Sequence, residues 1–382
     1  GDWYSRGMLR RAYDQLESFL CPQKVLVLYG PRRVGKTTLI QQMLGKTNLR
    51  YLSLSGDNMR VQTILGSREF ASILGLIEGY EMVVIDEAQQ IPHIGMALKI
   101  MIDQRPNLKI IATGSSSFDL AQKIGEPLTG RKTTLTLYPM SQVELSQHKN
   151  RSELRSALPE WLIYGLYPEV VTTERISMKQ QLIMELVQSY LLKDILILDK
   201  IRSSKTLFQL LQLLAFQVGN EVSYSELGNQ LGVDVKTVQR YLDLLEKSFV
   251  IISVGALSRN MRNEVKRKNK YYFWDNGIRN GVISQFNEVS SRDDIGQLWE
   301  NFVMIERIKK LNYQQIYANT YFWRNYQQQE IDIIEERDGT LSAYECKWNP
   351  FKKVKVPSEW RTNYPKADFS VITPDNYLAF VL

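Results

Sequence analysis

The sequence predicts an α/β chain of several domains, built on a parallel sheet and ending in a second α/β unit. Three observations predict it. Short, uninterrupted apolar runs at Val25–Tyr29 and Met82–Ile85 have the composition of buried strands, and Lys109–Thr113 reads as a third strand. A long middle stretch from Pro139 to about Lys200 carries apolar residues at three- and four-residue spacing (Leu182, Leu186, Tyr190), which predicts helices. Beyond Gly281, strand-like segments cluster around a two-residue turn signal, Asp338-Gly339. At 382 residues the chain also exceeds what one core holds.

Composition narrows the function classes. With 44% hydrophobic and 23% charged residues, the chain reads as an ordinary globular protein. No run approaches the ~20 apolar residues of a membrane span; the oiliest, Leu191–Leu198, is broken by Lys193 and Asp194. The first residues, Gly1-Asp2-Trp3-Tyr4-Ser5-Arg6, lack the apolar segment of a signal peptide. Two cysteines, Cys21 and Cys346, argue against a disulfide framework, and two histidines, His93 and His148, against a zinc site. A cytoplasmic location without membrane contact is expected. The net charge of +7 favours a polyanionic partner.

The first strand runs directly into Gly30-Pro31-Arg32-Arg33-Val34-Gly35-Lys36-Thr37-Thr38. This is the spacing G-x-x-x-x-G-K-[ST], and the apolar residues Leu39, Ile40, Met43 and Leu44 mark an amphipathic helix behind it. Glycines let backbone N–H groups turn inward around phosphates, and the helix start faces them with its positive end. Lys36 is placed to reach β- and γ-phosphates, and the Thr37 hydroxyl to bind Mg²⁺. The second strand ends in Asp86-Glu87: Asp86 suits the metal shell, and Glu87 suits orienting or deprotonating a water. Thr113 and Ser115 end the third strand, beside the expected γ-phosphate; a plain polar turn is the alternative. Arg131, before a strand at Thr133–Leu137, is a candidate arginine finger or a surface arginine.

The order of this loop, Asp86-Glu87-Ala88-Gln89, Thr113-Gly114-Ser115-Ser116 and Leu128-Thr129-Gly130-Arg131 resembles the AAA-like P-loop ATPases of prokaryotes. The likeness continues through Tyr164-Gly165-Leu166-Tyr167-Pro168-Glu169 and Ser189-Tyr190-Leu191-Leu192-Lys193-Asp194, with Leu166 where a second glycine is expected. It implies a helical lid, a winged helix and a C-terminal endonuclease-like domain. The expected division is 1–138 for the ATPase core, 139–200 for the lid, 201–280 for the winged helix and 281–382 for the last domain.

In the third segment, Leu207–Phe216 reads as an apolar helix, and Ser223-x-x-Glu226 caps a short helix ending near Gly232. Asp234 caps a second helix, Val235–Lys247, with Val238, Leu242 and Leu245 inward. Lys236, Thr237, Gln239 and Arg240 then lie where a recognition helix contacts DNA. Strands at Phe249–Val254 and Tyr271–Trp274 flank the densest basic segment, Arg259–Lys270, which includes Lys266, Arg267, Lys268 and Lys270 and suits phosphate contacts. Packing alone, or reading of nucleotide state, is the competing use of this module.

In the last segment a helix over Gly296–Lys310 precedes strands near Tyr321–Arg324, Glu330–Glu335 and Leu341–Trp348. If Asp338-Gly339 is the turn, Arg337 faces Thr340 and Asp332 faces Glu345, with Lys347 on the same side and Ile331, Ile333, Tyr344 and Cys346 on the other. This order resembles the PD-(D/E)xK nucleases, without the proline of that signature. The likeness implies Mg²⁺ or Mn²⁺ held by Asp332, Glu345 and an additional acid, Glu300, with Lys347 catalytic. The expectation is thus a Mg-ATPase that engages DNA, cuts it if the last domain is active, and self-associates. The alternatives are a nucleotide-driven switch for a protein partner and a DNA-binding regulator with a silent nuclease lobe.

Overall fold

The computed structural model describes residues 9–115, 128–191, 204–257 and 269–382. The basic residues Lys266, Arg267 and Lys268 therefore lie outside the described residues. The chain divides into two compact units. One is Arg11–Tyr138 with Lys247–Phe249; the other is built mainly of Pro139–Glu246 and Val250–Leu382. The three segments expected after residue 138 thus lie largely within one unit.

The first unit is organised by a five-stranded sheet of β1 (Val25–Tyr29), β2 (Tyr51–Ser55), β3 (Met82–Asp86), β4 (Lys109–Gly114) and β5 (Lys132–Thr136). Their order is β2-β3-β4-β1-β5, and every neighbouring pair is parallel. β1 is buried along its whole length, as its unbroken apolar run requires. Val27 and Ile110 pack with Leu98 and Met101 of the Ile94–Gln104 helix in the core on one face. The carboxyl ends of β1, β3 and β4 are adjacent, so the residues following them meet at one edge.

In the second unit the middle of the chain is helical, with Arg151–Tyr164 and Ile176–Glu185 its longest helices before residue 192. Asn150 and Glu153 form a reciprocal cap at the start of Arg151–Tyr164. Further on, helices Tyr224–Leu231 and Val235–Lys247 are joined through Gly232, whose φ of 66° is left-handed. The Asp234 carboxylate accepts from the Thr237 N–H at 2.7 Å. A small antiparallel sheet follows, ordered β6 (Glu221–Val222), β8 (Asn269–Phe273), β7 (Ile251–Val254).

The last part packs the Ile295–Tyr313 helix on a four-stranded sheet of β9 (Asn319–Arg324), β10 (Glu330–Arg337), β11 (Thr340–Cys346) and β12 (Asp368–Ile372). β10 and β11 form the hairpin, and Arg337 does face Thr340 across Asp338-Gly339. A register shift between Ile331 and Ile334 against β9 alters the expected alternation. Ile331 and Ile334, an odd–even pair, consequently share one apolar cluster with Trp323, Leu341 and Trp360. Parts of the unit are knitted by buried polar groups. Asp275 accepts from Leu166 N–H at 2.6 Å and Ile278 N–H at 3.0 Å, and burial pushes its carboxyl pKa up. A Cβ on Gly165 would lie 2.0 Å from that carboxylate, so the glycine is needed there, while Leu166 beside it is buried. Among the described residues no helix is long and apolar enough to cross a membrane.

Candidate functional site

The loop after β1 is shaped by two glycines. A Cβ on Gly30 would meet the Leu137 carbonyl oxygen at 2.1 Å, so only glycine lets the loop turn so close to the end of β5. Gly35, at φ 94°, begins the Lys36–Leu44 helix, and no side chain caps that helix start. Its first-turn N–H groups are therefore left without a side-chain cap, which fits a phosphate. Lys36 is buried and donates to the carbonyls of Gly30 and Pro31, each at 2.8 Å. The loop is braced by Arg11, which donates to the Val34 carbonyl and, at 2.6 Å, to the Tyr138 carbonyl. No motif pointed to Arg11.

The carboxyl ends of β3 and β4 complete the arrangement. The Thr37 hydroxyl donates to Asp86 at 2.9 Å, and the Thr113 hydroxyl donates to the other oxygen of the same carboxylate. Thr113 also accepts from the Glu87 N–H at 3.1 Å. Glu87 has φ 51°, a left-handed conformation unusual for a non-glycine residue. Ser115 is buried and accepts from the Gln89 side-chain amide at 3.1 Å. Residues at Gly30–Thr38, Asp86, Glu87, Thr113 and Ser115 are thus gathered at one edge. Thr37, Asp86 and the uncapped helix start form a donor set suited to a hydrated divalent cation and a polyphosphate.

Arg131 is not among them. It precedes β5, whose first residue, Lys132, pairs with Val25 at the start of β1, whereas the loop follows Tyr29 at its end. Its guanidinium forms an ion pair with Asp103. Five residues of strand separate the two positions, so Arg131 has no place at its own chain's phosphate loop.

In the last part Asp332, Glu345 and Lys347 come within electrostatic reach of one another, as the hairpin register implies, and further groups join them. Asp332 is buried and accepts from the Cys346 N–H at 2.8 Å; Lys347 lies 2.6 Å from Glu345. Glu300, on the Ile295–Tyr313 helix, accepts from the Tyr272 hydroxyl at 2.7 Å. The fully buried Lys270 ammonium lies 3.7 Å from Glu300 and ion-pairs with Glu330. Burial, then the nearby Asp332 charge, pushes the Glu300 carboxyl up to about 8. Burial likewise raises Asp332 and Glu345. Burial works against the charged form of Lys270, but Glu300, Glu330 and Asp332 together outweigh it, and its pKa is raised. Among the described residues no group of three or more His, Cys, Asp or Glu side chains gathers closely enough to hold a metal ion. Glu300, expected beside Asp332 and Glu345 as a third acid for Mg²⁺ or Mn²⁺, is engaged by Lys270 and Tyr272 as the structure stands.

Lys236, Gln239 and Arg240 are exposed along the Val235–Lys247 helix, with Thr237 half-buried among them. They share one stretch of its first turns, as the spacing predicts.

Comparison with known proteins agrees with the first of these sites. Residues 22–146 match the family model described as AAA domain. Residues 155–292 and 295–376 match two models, each described as a domain of unknown function (DUF8612 and DUF4143). An "uncharacterized protein" of Mycobacterium tuberculosis, Rv2008c, is 28% identical over 344 residues, covering 88% of this chain and 73% of the relative. Another, of Haemophilus influenzae, is 26% identical and covers 80% of both chains. A solved structure of Thermotoga maritima RuvB aligns at 14% identity and TM-score 0.29 over 64% of this chain and 87% of its own, too loosely to carry an argument. The part from 22 to 146, which holds the parallel sheet and the Gly30–Thr38 loop, is thus similar in sequence to the AAA domain.

Proposed function

We propose that the chain binds Mg-ATP at Gly30–Thr38 and hydrolyses it. The observation that carries this reading is the convergence of Thr37 and Thr113 on the two oxygens of Asp86, directly beside the uncapped helix start. Lys36 and the loop N–H groups would hold the β- and γ-phosphates; Thr37 and Asp86 would hold Mg²⁺. When bound, the metal neutralises charge developing on the phosphates. Glu87 orients or deprotonates the attacking water, and Thr113 and Ser115 stand at the γ-phosphate end. The test is Mg²⁺-dependent binding of a fluorescent ATP analogue. Lys36→Ala should weaken it by at least tenfold; unchanged affinity in the variant would overturn the reading.

A second part concerns DNA. The exposed Lys236, Gln239 and Arg240, with Thr237, lie on the helix that a helix–turn–helix presents to a major groove, which favours duplex contact by this module. Replacing Lys236 and Arg240 by alanine should weaken duplex binding and flatten its salt dependence. An identical salt slope would remove that helix from the interface. In this reading the second unit combines a winged helix with an endonuclease-like fold, and the chain assembles into homo-oligomers. Metal-dependent cleavage has less support, since Lys270 and Tyr272 occupy Glu300. The geometry favours an endonuclease-like lobe that is silent.

A further inference from the structure

We infer that Gln89 is a positioning residue for Glu87, and that through Ser115 it ties the water-orienting carboxylate to the presence of the γ-phosphate. The inference rests on the proposed ATP hydrolysis at this site.

The backbone of Glu87 is fixed from two sides. Its N–H is held by the Thr113 hydroxyl of β4 at 3.1 Å. On the β2 side, a Cβ on Gly56 would lie 2.1 Å from the Glu87 carbonyl oxygen, so the turn and Gly56 are in direct contact. A left-handed φ at a non-glycine residue costs about 1–3 kcal/mol and persists only where the surroundings enforce it. Here both neighbouring strands do. What the backbone leaves open is the direction of the carboxylate.

Gln89 closes that freedom. It lies on the single turn Ala88–Gln90, immediately after Glu87, and is buried. Its side-chain nitrogen donates to the Glu87 carboxylate at 2.5 Å and to the Ser115 hydroxyl oxygen at 3.1 Å. The two N–H groups of one amide thus serve two acceptors that come from different strands. Having accepted from Gln89, the Ser115 hydroxyl still has its own proton to give. A γ-phosphate oxygen at the end of β4 is the acceptor the proposed reaction supplies. Hydrogen bonds in such a chain polarise one another, so an anion on Ser115 strengthens the hold of Gln89. A diphosphate leaves that end of the chain unengaged. The relay runs from γ-phosphate to Ser115, then Gln89, then Glu87, and Gln89 itself touches no reacting atom.

The experiment is steady-state ATP hydrolysis by the full chain, with fluorescent-analogue binding measured in parallel. Gln89→Ala should lower kcat by about 100-fold, the scale of a misplaced reacting group, with KM and analogue affinity nearly unchanged. Gln89→Glu should lose as much at neutral pH and regain rate as the pH falls, because a protonated carboxyl can again donate to Glu87. Ser115→Ala should also lower kcat, and adding it to Gln89→Ala should lower it no further. Wild-type kcat in Gln89→Ala would overturn the inference. So would a flat pH response of Gln89→Glu, or additive losses in the double variant. If the wild type itself turns over no ATP, and Lys36→Ala behaves identically, the hydrolysis reading fails first and takes this one with it.

Discussion

Lys270→Met probes the acid cluster of the second unit most sharply. Lys270 has no exposed surface, ion-pairs with Glu330, lies 3.7 Å from Glu300 and stands 5.0 Å above the Phe322 ring. Methionine keeps the length and the contact with Phe322 but removes the charge. Taking away one partner of a buried ion pair costs roughly 3–5 kcal/mol, because the remaining charge is left uncompensated. For a unit of this size each kcal/mol moves the Tm by about 2–4 °C, so a fall of about 10 °C is expected at high pH. The pH dependence has a definite sign. Glu300 already holds its proton up to about 8 when folded, against an ordinary carboxyl range near 4.5. An acid with a raised folded pKa contributes stability that is full below its unfolded pKa and lost as the pH rises through the folded one. Without Lys270 the folded pKa values of Glu300 and Asp332 rise further, so the loss should be small near pH 5 and largest near pH 9. The assay is thermal unfolding of both proteins across that range. A Tm change under about 2 °C at pH 9, or an equal change at both ends, would refute the assignment of Lys270 as the resident counter-charge.

Other predictions follow from the same structure. Glu300→Gln removes one acid whose proton is held to about 8, and should flatten the decline of stability between pH 5 and 9, as read by the same unfolding scans. Gly30→Ala places a Cβ 2.1 Å from the Leu137 carbonyl and should cost about 1–3 kcal/mol in denaturant unfolding while weakening nucleotide binding. Arg307→Ala removes a two-pronged ion pair to Glu335, with distances of 2.7 and 2.8 Å, and should destabilise the second unit by about 3 kcal/mol in the same assay. Duplex DNA titrations at several salt concentrations should show the log–log slope reduced by about one for each of Lys236 and Arg240 that meets a phosphate.

What was legible in the chain depended on how local the physics was. β1 and β3 announce themselves because buried parallel strands are apolar throughout, and the phosphate loop because its glycines must stand where the backbone turns. β2 was not read: it is an edge strand, with Tyr51, Ser53 and Ser55 exposed, and its mixed composition resembles a loop. The Arg337–Thr340 register followed from two turn residues. The irregularity against β9 did not, since β10 takes up one extra residue between Ile331 and Ile334 without a glycine or proline to mark it. Arg131 read equally as an arginine finger or a surface arginine; parallel strands bring alternate connections to opposite edges of a sheet, and Arg131 enters at the edge away from its own loop. Lys270 read as one more cation of a basic segment. Its burial against Glu300 and Glu330 arises from the packing of β8 on the Ile295–Tyr313 helix, a long-range event that no short pattern records.

The central claim is that Asp86, Glu87, Lys36 and Thr37 form one hydrolytic site. Its most direct test is steady-state release of phosphate from ATP with Mg²⁺, comparing wild type with Lys36→Ala and Glu87→Gln. The account predicts turnover by the wild type, none above background in either variant, and retained binding of a fluorescent ATP analogue in Glu87→Gln alone. Turnover that survives in Glu87→Gln, or analogue binding that survives intact in Lys36→Ala, would contradict it.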